Sequence, residues 1–140
     1  MKKSIKQLLL SIPLILFTQF AFAEVSVVVH PSNADNISAD DIKRIFLGKM
    51  KSFPGGVQAI AVNQSASSSV REAFDSNALG KSASQIKAYW SKLVFSGKGN
   101  PPKEVDNDQE VIALVKDNPS VIGYVDSASV SGDVKVIAKF

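Results

Sequence analysis

The chain has no cysteine and only one histidine, His30, in 140 residues. The first absence excludes disulfides, thiol nucleophiles and Cys-ligated metal, and with them the lipid-bearing cysteine that can anchor an exported chain. The second leaves one imidazole, at the end of a β-rich run, where a hydrogen-bonded structural role is the simplest account. No nucleophile-and-base arrangement, metal-ligand spacing or nucleotide loop stands out, so neither enzyme activity, cofactor nor metal is expected. Internal repeats and low-complexity tracts are also lacking. The only long apolar run is at the start.

That start has three parts. Lys2, Lys3 and Lys6 precede the apolar stretch Leu8–Phe17, and Ala21-Phe22-Ala23 follows. A basic region, a short apolar region and a small-x-small site predict a signal peptide over 1–23, cleaved after Ala23. The apolar region is short for a membrane span of about 20 residues. The mature chain, Glu24–Phe140, is expected to be one domain with no membrane insertion, soluble in the periplasm. Loss of the three leading lysines leaves thirteen of the sixteen basic side chains against thirteen acidic ones. A chain so balanced gives no reason to expect nucleic acid or an anionic membrane as partner.

Along the mature chain, β-rich runs alternate with helical patterns. Val25–His30 and Val121–Val125 read as buried strands, with weaker strands over Val57–Val62 and Val134–Ala138. Ser38 is an N-cap candidate, flanked by Ile37 and Ile42 as a hydrophobic staple, with Ile42, Ile45 and Phe46 on one helical face and Gly48 as the stop. Ser69 with Glu72, and Ser82 with Gln85, have capping-box spacing; Asn107 caps a fourth helix. Ile86, Tyr89, Trp90, Leu93 and Val94 recur at helical spacing, and Tyr89, Trp90 and Phe95 are expected in the core rather than as a stacking platform. Ser96–Asp106 reads as a loop. Asp40-Asp41 suits a helix N-terminus. The alternation predicts an α/β fold with a small, mostly parallel sheet flanked by helices.

In such sheets ligands lie beyond the carboxyl ends of strands. Two loops qualify, His30–Asn33 and Asn63–Ser69. If their strands are parallel, both open on one edge. Ser65, Ser67, Ser68 and Ser69 could then converge on a small oxyanion, with Arg71 adding a forked cation and Ser32 or Asn33 completing the shell. A structural account stands beside this one. Ser69 is explained by capping, Ser65 and Ser67 by loop solubility, and Arg71 by solvent exposure or a pair with Asp75 four residues on.

Three segments in order, Ile37–Gly56, Val62–Phe74 and Asn118–Val125, resemble the phosphate-binding component of bacterial phosphate ABC transporters. The resemblance implies one lobe of a periplasmic type II binding-protein-like fold, a phosphate or similar oxyanion ligand, and a permease and ATPase as partners. Members of that family carry a segment close to Arg-x-Asp-Gly-Ser-Gly-Thr-Arg entering a helix. Matched to it, Ser68 takes the serine position and Arg71 the final arginine. Gln64, Ala66 and Val70 stand where the leading arginine, the aspartate and the threonine would be, and Ser67 and Ser69 replace glycines. These departures leave a second expectation open: a module without small ligand that uses the same fold for a protein, such as a sensory or envelope partner or a second copy of itself.

Overall fold

The computed structural model describes Pro13 and residues 24–140. The expected signal peptide over 1–23 therefore falls almost wholly outside the described residues. Five strands, β1 (Val25–Val29), β2 (Ile60–Gln64), β3 (Lys103–Val105), β4 (Val121–Asp126) and β5 (Lys135–Lys139), form one sheet in the order β3-β2-β4-β1-β5. Four helices, α1 (Ala39–Phe46), α2 (Ser69–Phe74), α3 (Ala83–Phe95) and α4 (Asp108–Asp117), flank it. No helix among the described residues is long and apolar enough to cross a membrane.

The central strands β1 and β4 are mostly apolar because both sheet faces are covered. Successive side chains point to opposite faces. Val25, Val27, Val29, Ile122 and Tyr124 pack in a cluster with α1, α2 and α3, whereas Val28, Val121 and Val125 pack with Val111 and Val115 of α4. The α4 layer lies very close to the sheet. A Cβ on Gly123 would stand 2.5 Å from Val111 Cγ1, so only glycine fits that point of β4. An aromatic cluster fills the other layer: the Phe74 and Tyr124 rings stack at 4.0 Å between centroids, with Phe46 edge-on to Phe74.

The sheet is mixed, which corrects the expectation of a mostly parallel one. β2 pairs in parallel with β3 and β4, but β1 is antiparallel to both β4 and β5. A strand buried on both faces reads as an apolar run in either direction, so its composition carries no orientation.

Three of the four expected caps are in place. Ser38 caps α1 in a reciprocal box with Asp41, Ser82 does so with Gln85 on α3, and Asn107 accepts from the Glu110 N–H on α4. On α2 the cap is Ser68, whose hydroxyl accepts from the Arg71 N–H; Ser69 is already helical. After α2 the chain widens into a π-turn, Asp75–Leu79, and stops at Gly80 with φ 65°. β2 lies later in sequence than the run Val57–Val62, continuing through Asn63 and Gln64. β3 comes from the expected loop Ser96–Asp106; it is a three-residue edge strand with no apolar signature of its own. Phe95 is 95 % exposed, so it does not belong to the core as expected, and Val94 beside it is half exposed.

Candidate functional site

Strand direction decides which loops meet. Because β1 runs opposite to β2, its carboxyl end lies at the far edge of the sheet. The loop His30–Asn33 is therefore remote from Ser65–Arg71, and Ser32 and Asn33 do not complete a common shell. They serve local structure instead. Ser32 Oγ meets His30 Nδ1 at 2.7 Å, Asn33 Oδ1 accepts from the Asp35 N–H, and the Asn33 carbonyl accepts from Lys135 Nζ at 2.7 Å.

At the carboxyl end of β2, Gln64 organises the remaining residues. Its Nε2 donates to Asp108 Oδ1 at 2.6 Å and to the Tyr124 carbonyl at 3.1 Å. Its Oε1 accepts from Ser68 Oγ at 2.9 Å, and its backbone carbonyl accepts from Arg71 Nη1 at 2.9 Å. A buried amide must find partners for both ends, and this one ties α2, α4 and β4 to a single point. Beside it the Tyr124 hydroxyl donates to Asn63 Oδ1, and burial pushes the tyrosine pKa well above its ordinary value.

Ser65, Ser67, Ser68 and Ser69 line an open depression of about 390 Å³, closed on its other side by Asp106–Gln109 at the start of α4. Ser65 Oγ and Ser67 Oγ lie 3.2 Å apart, and Ser67 and Ser69 are exposed. Ser68 is occupied as donor to Gln64 and as the α2 cap. The expected hydroxyls thus share one turn, but the charged residues lining the depression are the carboxylates Asp106 and Asp108. Asp108 accepts from Gln64 Nε2, from Ser129 Oγ at 2.7 Å and from the Asp126 N–H.

Arg71 is not a free cation. Its Nη1 lies 2.6 Å from Glu104 Oε1 and its Nε 3.6 Å from Asp75 Oδ2, and the side chain is 13 % exposed. Of the alternatives left by the sequence, the pair with Asp75 is realised. Glu104 was out of reach of that reading because β3 was not expected. Asp75 is 3 % exposed and its Oδ1 has no hydrogen-bond partner among the described residues. Burial raises its pKa, and the Arg71 charge pulls it part of the way back.

Gln64, Asp108 and Ser129 were missed as members of this network. The available signal was Asn63-Gln64, two amides ending an otherwise apolar strand, which demand buried partners.

No family model matches the chain, and no curated protein matches it. Its fold does match solved structures. An ABC-type phosphate transport receptor from Vibrio cholerae aligns over 84 % of this chain with a TM-score of 0.64 and 21 % identity. A Clostridium perfringens chain assigned as a phosphate ABC transporter substrate-binding protein, holding bound phosphate, aligns over 83 % with a TM-score of 0.63 and 19 % identity. PstS from Borrelia burgdorferi aligns over 84 % with a TM-score of 0.59 and 16 % identity. The chain spans only 45–48 % of the length of these three. Its architecture is thus that of a single lobe of the binding-protein fold found in phosphate ABC transport.

Proposed function

We propose that the protein is a periplasmic binding module for a small oxyanion, with phosphate as the first candidate, held at the Ser65–Ser69 turn. The observation that carries this reading is the cluster of serine hydroxyls on an open depression beyond β2, on a fold that in one solved neighbour holds bound phosphate. The ligand would be held by neutral donors, chiefly Ser65, Ser67 and Ser69, whereas Arg71 positions the turn through the Gln64 carbonyl. Ser68 supports the turn from below as a cap. The aspartates beside the depression repel a fully ionised anion. A partly protonated phosphate brings its own O–H donor to such a carboxylate, and sulfate at neutral pH does not. Phosphate is therefore expected to bind in preference to sulfate. An ABC permease and ATPase would be the partners in a transport role.

Calorimetric titration of residues 24–140 with phosphate and with sulfate tests this. A measurable phosphate affinity is expected, weakened several-fold by Ser67→Ala, since one neutral hydrogen bond is worth about 1 kcal/mol. Flat titrations with both anions at millimolar concentration would remove the oxyanion reading. One observation favours a second reading, a protein-interaction module: Glu104 and Asp75 already neutralise Arg71. On that reading phosphate gives no heat, and pull-down from envelope extracts recovers a partner that Ser67→Ala does not affect.

A further inference from the structure

Away from the serine turn, α3 borders a groove of about 950 Å³. Its floor is apolar, with Ile86 and Trp90, and its far wall is the α2–π-turn segment at Glu72, Asp75 and Ser76. Phe95 stands at its mouth with its ring almost wholly in solvent, and Val94 beside it is half exposed. An aromatic ring of that exposure leaves a large apolar area in water. Lys87, Ser91 and Phe95 all line the groove and follow one another at four-residue spacing, one exposed stripe along α3. Lys87 enters no ion pair among the described residues.

This stripe is self-complementary. Lys87 and Phe95 lie roughly 12 Å apart along the helix axis, too far to meet within one molecule. An antiparallel copy of α3, related by a two-fold axis at Ser91, would set each Lys87 against the Phe95 ring of the other copy. A cation over an aromatic face is attracted to it. The small side chain at Ser91 lets the two helices approach where they cross. Each Phe95 would then enter the Ala83–Lys87 end of the opposite groove, over Ile86. The contact is isologous and closes on itself, as two-fold dimers require.

We infer that the α3 groove is the interface of a homodimer, built by Phe95 and Lys87 of two copies crossing at Ser91. The inference does not depend on the oxyanion reading, because none of these three residues lines the serine depression. A contact centred on three residues of one helix face is expected to give a concentration-dependent equilibrium rather than a permanent dimer.

The chain has no cysteine, so a single introduced thiol reports its own surroundings. In residues 24–140, Ser91→Cys places two thiols on the proposed two-fold axis, and Lys116→Cys places them on α4 across the sheet. Under mild oxidation Ser91→Cys should form a disulfide dimer at least tenfold faster than Lys116→Cys. Sedimentation equilibrium of wild type should show a monomer–dimer mixture, and Phe95→Ser should weaken association at least tenfold with circular dichroism unchanged. Three outcomes would overturn the inference. Wild type stays monomeric up to millimolar concentration, association survives Phe95→Ser, or the two cysteine variants cross-link equally slowly. Native mass spectrometry showing a monomer that carries another molecule, lost in Phe95→Ser, would overturn it as well.

Discussion

Arg71 and Asp75 show how a residue's role follows from what else is buried beside it. Arg71 has the chemistry of an anion ligand, but its forked head already faces Glu104, Asp75 and the Gln64 carbonyl. Asp75 is held almost dry, with one oxygen unpartnered among the described residues. Its folded-state pKa is raised above 3.8 by burial, despite the pull of Arg71. The sign follows from linkage. The folded state holds the proton more tightly than the unfolded chain, so the associated stability is fully present below the unfolded pKa. It is lost as pH rises through the folded value. At neutral pH, where the unfolded chain ionises this carboxyl in water, the buried Asp75 is therefore a destabilising group. Asp75→Asn should raise the melting temperature at neutral pH, and the gap from wild type should close as pH falls toward about 4. Melts across that range would show it. A lower melting temperature at neutral pH would mean that the attraction to Arg71 outweighs the cost of burial.

Elements separate what was legible from what was not. Capping residues write helix starts locally, and Ser38, Ser82 and Asn107 sit where their spacing put them. The α2 cap was read one residue late. Ser69 with Glu72 has the right spacing, but Ser68 takes the cap because its hydroxyl also donates to Gln64, a partner outside the helix. Ser68→Ala should therefore cost about 1 kcal/mol of stability or more, whereas Ser69→Ala should cost only a few tenths. Paired denaturant titrations decide between the two, and equal losses would return the cap to Ser69. The direction of β1 and the existence of β3 were not legible, since both are set by partners distant in sequence. The same holds for the site. The serines could be placed on one turn from sequence, but Ser32 and Asn33 were drawn in by an assumed parallel β1. Gln64, Asp108 and Glu104 were missed because their roles exist only once α4 and β3 are in place. Phe95 was read as core from helical spacing alone, but it is the last residue of α3 and stands almost wholly in solvent.

At the scale of the whole molecule, the sheet joins two apolar layers, one on each face. Neighbouring residues of β1 belong to different ones, Val27 to the layer of α1–α3 and Val28 to that of α4. β4 is shared in the same way, through Tyr124 and Val125. Neither layer can lose its packing without exposing strands that the other needs, so the two should melt together. The chain end is tied into the same unit, because Val25 and Phe140 exchange both backbone hydrogen bonds. We therefore expect residues 24–140 to unfold as one domain, in a single transition whose calorimetric and van't Hoff enthalpies agree. At about 0.7 kcal/mol per residue near 60 °C, that enthalpy should be roughly 80 kcal/mol. Scanning calorimetry at low protein concentration, where association is negligible, tests it. Two resolved transitions, or a van't Hoff enthalpy near half the calorimetric one, would mean that the α4 layer unfolds on its own and that the sheet does not couple the two.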